Sequence, residues 1–100
     1  MPPTYRIVIT PFVAEQLQEI YDYIQQDSPQ NAPRMIARLL DSIDRLEIFP
    51  HRYKVVRNTE EAGGDVHSMP VRPYLVRYEI NDVEGVVTIM SVRHGARKSS

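Results

Sequence analysis

The sequence predicts an α+β domain: an N-terminal strand, then an antiparallel helical hairpin packed on one face of a mainly antiparallel sheet, in the order β-α-α-β-β-β-β. Three observations predict it. Apolar residues recur at helical spacing twice in the first half of the chain, each time behind a capping residue and a proline. Tyr74, Val76, Tyr78 and Ile80 alternate with Leu75, Arg77 and Glu79, the period of a half-buried strand. Val86 to Val92 is nearly all apolar and β-branched, which suits a strand in the middle of a sheet.

Taken in order, Tyr5-Arg6-Ile7-Val8-Ile9 is a first strand stopped by Thr10-Pro11. Thr10 suits an N-cap, and Pro11 suits the first helical position, where a missing N–H costs nothing. Val13, Leu17, Ile20 and Ile24 then share one face, and the helix runs to about Gln26 or Asp27. Ser28-Pro29 repeats the start signal; Ala32, Ile36, Leu39, Ile43 and Leu46 give the second stripe, and Phe49-Pro50 ends it. Asp41 and Arg45 form an i,i+4 pair of helpful orientation. The short link at Asp27-Ser28 implies an antiparallel hairpin of helices. Beyond Pro50 the period changes. Arg52 to Arg57 is a short strand, Asn58 to Asp65 an exposed loop, and Val66 to Arg72 a strand that Pro70 demotes to an irregular or edge position. Pro73 bends the chain before Tyr74, and Asn81 to Gly85 is a turn.

One hundred residues make one domain, 1–100, with a modest core. The absence of cysteine excludes a disulfide framework, a thiolate metal site and a thiol nucleophile. Met1-Pro2-Pro3-Thr4-Tyr5-Arg6 lacks the basic and apolar regions of a secretory signal, and no apolar run approaches the roughly 20 residues that span a bilayer, so a cytoplasmic location with no membrane partner is the expectation. Net charge is −1, which does not advertise nucleic-acid binding. The distribution is uneven: residues 1–50 carry four Arg/Lys against seven Asp/Glu, and residues 51–100 carry eight against six. Arg93, His94, Arg97 and Lys98 stand together near the C-terminus with no acid among them, as a solvated tail would also do.

Gly63-Gly64 lacks the lysine and the following helix that a phosphate loop needs, and no serine sits in a strand-to-helix elbow. His51, His67 and His94 are widely separated in sequence, so neither a metal nor any other cofactor is expected. The sharper cluster is Arg72, Arg77, Arg93, His94 and Arg97, on or just after strands that should be neighbours. Arginines converging on one sheet face suit a phosphate, because the guanidinium fork matches its oxygens, and a histidine beside them suits a general acid at neutral pH. The alternative is scattered surface pairing with Glu79, Asp82 and Glu84. Tyr21, Tyr23, Tyr53, Tyr74 and Tyr78 fall at helix and strand positions where core or sheet packing, rather than base stacking, is expected.

The whole pattern, from about Tyr5 to Arg97, resembles the RelE/ParE superfamily of toxins from type II toxin–antitoxin modules. The matching pieces are the strand ending at Pro11 with Ala14, Leu17 and Ile20; Tyr23-Ile24, Ser28-Pro29 and Ala32; Leu40-Asp41-Ser42-Ile43 with Leu46; and Phe49-Pro50. The strongest are Val71-Arg72-Pro73-Tyr74-Leu75-Val76-Arg77-Tyr78 and Val87-Thr88-Ile89 leading to Val92-Arg93-His94-Gly95-Ala96-Arg97.

The resemblance implies the same architecture and a cognate antitoxin that wraps the toxin with an extended, often helical segment; promoter DNA would be met only through that complex. It also implies one of two targets. RelE-like members cut messenger RNA on the ribosome without metal, which here would set Arg72, Arg77 and Arg97 on the phosphate and His94 as the acid. ParE-like members have no chemistry and poison DNA gyrase, for which Arg93, His94, Arg97 and Lys98 are the expected contact residues. Tyr74 stands where the nuclease branch typically has an arginine, no tyrosine follows Tyr78, and the chain is near neutral where ribosome binders are basic. With the ending His94-Gly95-Ala96-Arg97, these features make the ParE-like branch the expectation. A non-toxic, antitoxin-binding relative would use a helical-hairpin groove that includes Phe12, Tyr21 and Met35.

Overall fold

In a computed structural model, which describes residues 4–59 and 64–95 with the side chains of residues 57–59 excepted, β1 (Arg6–Ile9) leads through Thr10 into α1 (Pro11–Asp27) and α2 (Asn31–Asp44). After two short 3-10 turns come β2 (Val55–Thr59), β3 (Gly64–Val71), β4 (Tyr74–Asn81) and β5 (Val86–His94). The five strands lie in the order β1-β5-β4-β3-β2, all antiparallel except the β1–β5 pair, which is parallel. This is the predicted architecture, with β4 and β5 both interior.

The helix starts follow from their caps. Thr10 Oγ1 accepts from the Val13 N–H at 3.3 Å, with Pro11 in the first turn. Ser28 serves both helices: its N–H closes α1 on the Ile24 carbonyl at 2.8 Å, and its own carbonyl accepts the Asn31 and Ala32 N–H groups that open α2. The predicted second helix is therefore shorter at its start than Ser28-Pro29 suggested, and it tightens to a 3-10 turn over Arg45–Glu47 before Pro50. Asp41 and Arg45 meet at 3.0 Å, as their spacing predicts.

The core lies between the hairpin and one sheet face. Val13 and Leu17 of α1, and Met35, Leu39 and Ile43 of α2, pack with Leu46 on Met69, Val71, Tyr74, Val76, Tyr78, Val87, Ile89 and Val92. Met35 is more deeply buried than Ile36, which removes it from the exposed groove expected on the hairpin; Phe12 is exposed and Tyr21 is half-buried. Tyr74 and Tyr78 are core residues, but Tyr23 projects outward, 61% exposed, against the expectation that it packs.

Two irregularities shape the sheet. The strand expected at Arg52 to Arg57 begins only at Val55, because Pro50–Arg52 forms a turn. As a result β2 does not reach past the level of His67 and Ser68, where Ser68 N–H bonds Lys54 O at 3.0 Å. Pro70 follows where β3 is a free edge, so its lost N–H breaks no ladder. In β5, Arg77 pairs with Ser91 and Tyr78 with Ile89, leaving Met90 as an extra residue, a β-bulge. Beyond Ile89, β1 has also ended, and Gln16 Oε1 of α1 accepts the Val92 N–H at 2.8 Å in its place.

Candidate functional site

The bulge decides which side chains share a face. Tyr74, Val76 and Tyr78 face the helices, so Leu75, Arg77 and Glu79 of β4 face away. Strict alternation along β5 from Val87 and Ile89 would place His94 beside Arg77 and turn Arg93 into the core. The extra residue at Met90 shifts the phase: Val92 packs in the core, His94 falls opposite Tyr74 on the helix side, and Arg93 joins Arg77 on the far side. His94 meets Tyr74 edge to face, with ring centroids 5.5 Å apart.

On the far face three strands contribute a row in register, Ser68 from β3, Arg77 from β4 and Ser91 from β5. Arg93, opposite Leu75, is the diagonal neighbour of Arg77, about 7–8 Å away by sheet geometry. Ser91 is buried, and Arg77 is half-buried with its Nε enclosed and without a hydrogen-bond partner among the described residues. Two hydroxyls and two guanidinium forks on one surface suit an anionic or carboxylate-bearing partner. Glu79 occupies the next row, between Val66 and Thr88. Sequence reading found Arg77 and Arg93 but not Ser68 and Ser91; serine carries no pattern of its own until the register is known.

The predicted cluster is therefore divided. Arg77 and Arg93 stay together. Arg72 sits in the two-residue turn between β3 and β4, exposed, before a cis peptide to Pro73. Arg97 and Lys98 lie outside the described residues. At this end of the sheet Pro70, Arg72, Pro73, Tyr74, Leu75, His94 and Gly95 line a cleft of about 430 Å³. The Gly95 N–H donates to Pro73 O at 2.7 Å, tying the end of β5 to the turn.

A second cluster was not legible in the sequence. Tyr5 Oη donates to Asp82 Oδ1 at 2.7 Å, and His51 Nε2 donates to the same oxygen at 2.9 Å. The His51 ring lies edge-on to His67, centroids 5.8 Å apart, and His67 stacks on Tyr78 at 5.3 Å. His67 Nδ1–H donates to Tyr53 O at 2.9 Å, which fixes its tautomer. Asp82 is thus engaged by Tyr5 and His51 rather than by an arginine. Among the described residues no three acidic or histidine side chains converge as metal ligands.

The Tyr5 and His51 hydrogen bonds hold the Asp82 carboxyl below its ordinary value, and the Tyr5 phenol is raised mainly by the same bond. A depressed carboxylate stabilises the fold above its unfolded pKa of about 4 and loses that contribution as the pH falls through the depressed value. Because the cluster is exposed, Asp82→Asn is expected to lower stability only slightly at pH 7 and to flatten the acid limb of a urea midpoint against pH curve. An unchanged acid limb would remove this linkage.

Comparison with known proteins follows the same lines. A family described as ParE toxin of type II toxin-antitoxin system, parDE, matches residues 7–99. Toxin RelE2 of Caulobacter vibrioides is 38% identical over 81 residues, covering 81% of this chain and 84% of that protein. Among solved structures, the archaeal RelE–RelB complex from Pyrococcus horikoshii aligns with a TM-score of 0.68 at 23% identity, over 95% of this chain and 99% of that one. The chromosomal ParDE system of P. aeruginosa aligns with a TM-score of 0.72 at 17% identity, over 91% and 96%. The structural likenesses show the fold.

Proposed function

Given that the chain belongs to the RelE/ParE superfamily of type II toxin–antitoxin toxins, with its ParE family matched almost end to end, we propose that it arrests growth by binding DNA gyrase, without chemistry of its own, in the cytoplasm, until a cognate antitoxin neutralises it. The observation that carries the reading is the division of the predicted cluster. Cleavage of RNA needs, beside the cations that hold the phosphate, a base for the 2′-hydroxyl and an acid for the leaving oxygen. Arg77 and Arg93 lie on the far face, whereas His94 is turned to the helix side by the bulge at Met90. A row of hydrogen-bond donors without that acid suits recognition better than catalysis, and Arg93, one of the expected contact residues, stands diagonal to it.

The alternative, a ribosome-dependent endoribonuclease, is favoured by the relative named Toxin RelE2 and by Glu79, a carboxylate that shares the far face with Arg77 and would supply a base. The test is to induce the chain alone in a bacterial host and follow labelled thymidine and labelled methionine over the first minutes. An early fall in thymidine incorporation with methionine still entering protein is expected. An early fall in methionine incorporation, with cleaved messenger RNA, would replace the gyrase reading by the nuclease one.

A further inference from the structure

The cleft at the β3–β4 turn is built differently from the far face. Its walls are mostly apolar, from Pro70, Pro73, Tyr74 and Leu75. They are also fixed: two prolines restrict the backbone, Tyr74 pairs with both Val71 and His94, and Gly95 is tied to Pro73 O. At about 430 Å³ the cleft lies near the small end of the range of ligand pockets, roughly 300–1,000 Å³, with room for one large side chain and its flanking backbone. Gly95 keeps one wall bare. A Cβ there would stand 3.2 Å from Pro73 O and 3.6 Å from Leu75 Cγ, directed at the cleft lining. The rim is cationic: Arg72 is exposed at the turn, and no acidic residue is among the described ones that line the cleft.

We propose that this cleft is a socket for an apolar side chain carried on an acidic peptide segment, and that the segment belongs to the cognate antitoxin; the second clause rests on the toxin–antitoxin assignment above. Apolar walls supply the affinity of a buried anchor, and the basic rim selects acidic neighbours through charge complementarity. A preformed socket loses little on ordering, which suits a partner segment that itself folds on binding. A nucleic acid is the poorer fit: base stacking needs an exposed aromatic face, and Tyr74 is 6% exposed.

The test titrates the isotope-labelled full chain with the peptide N-acetyl-Phe-Glu-Glu-amide and follows backbone amide resonances. Shifts are expected to concentrate at Arg72, Leu75, His94 and Gly95. Binding should weaken about fivefold or more when glutamates become lysines, or when phenylalanine becomes alanine. Gly95→Leu fills the socket and should weaken binding at least about tenfold. Arg72→Glu, an exposed substitution that leaves the walls intact, should reverse the charge preference and stands in should Gly95→Leu fail to fold. Shifts elsewhere, no preference for the acidic peptide, or equal binding of the dinucleotide ApA at the same residues would each overturn the socket. For the antitoxin itself, whichever of the two variants is folded should bind the antitoxin of its own module at least about tenfold more weakly; unchanged affinity would show that the antitoxin docks elsewhere. Growth rescue of the unmodified chain by that antitoxin is read separately. Rescue without peptide binding at the cleft sinks the socket alone, whereas failure of rescue sinks the toxin–antitoxin assignment.

Discussion

Replacing Tyr78 by phenylalanine is expected to lower stability at pH 7 by about 1–3 kcal/mol and to flatten the alkaline limb of the pH–stability curve. Tyr78 is fully buried, and its hydroxyl donates to Pro50 O at 2.5 Å. That bond pins the connection between the helices and β2 to the centre of the sheet. Removal of the hydroxyl leaves the Pro50 carbonyl, on a buried residue, without this donor. Burial also raises the Tyr78 pKa far above its ordinary value, the desolvation of the phenolate being the largest cause. The sign follows directly: a group whose pKa is raised on folding contributes fully below its unfolded pKa of about 10, and the contribution is lost as the pH rises through the folded value. The native chain should therefore weaken steadily above pH 10, and Tyr78→Phe should weaken much less, with the residual slope coming from Tyr5. Urea midpoints from pH 7 to 11 read both effects. A variant as stable as the native chain at pH 7 would mean that the Pro50 carbonyl finds another donor. An unchanged alkaline limb would place the linkage elsewhere.

The same side chain shows what a sequence does and does not disclose. Tyr78 was readable as a strand residue of the buried parity, because alternation with Leu75, Arg77 and Glu79 is a local property. Its bond to Pro50, 28 residues away, depends on where the chain returns after α2, and no local pattern records that. The helices were legible for the first reason, and so was the Thr10-Pro11 start of α1. Thr10 caps the N–H three residues on, whereas α2 opens at Asn31 behind Gln30 with no side-chain cap, later than the Ser28-Pro29 signal placed it. The candidate site was legible only in part. Arg77 and Arg93 could be named, but grouping both with His94 rested on neighbouring strands alone and did not say which face each β5 side chain takes. The bulge at Met90 reverses the phase for every residue after it, and one extra apolar residue in an apolar run leaves no sign in the sequence. The Tyr5–Asp82–His51 cluster was missed for the reason that hid the Pro50 contact: its members come from the residue before β1, the β4–β5 turn and the turn before β2, and only the fold brings them together.

Arg77→Met is expected to separate growth arrest from stability. The Arg77 guanidinium is half-buried, and its Nε is enclosed without a partner among the described residues, an arrangement that costs rather than stabilises. Methionine keeps much of the side chain's length and apolar contact while removing the buried polar group. Stability should therefore hold or rise by about 1 kcal/mol. The same substitution removes the central donor of the Ser68–Arg77–Ser91 row. A hydrogen bond to a charged group is worth about 1.5–3 kcal/mol, or roughly 10- to 100-fold in affinity, and the inducer level needed to arrest growth should rise accordingly. Arg77→Lys should fall between the two, since it keeps the charge but loses the planar fork. Chemical denaturation of the purified variants and colony counts across an inducer series measure the two quantities independently. Loss of more than about 1 kcal/mol in Arg77→Met would make Arg77 a structural residue. Full toxicity in a folded Arg77→Met chain would move target recognition off the far face, leaving Arg93 and the segment that follows it to account for the arrest. A protein that tolerates an unsatisfied guanidinium nitrogen at the centre of its sheet sacrifices stability there, and recognition of a partner is what would maintain that sacrifice.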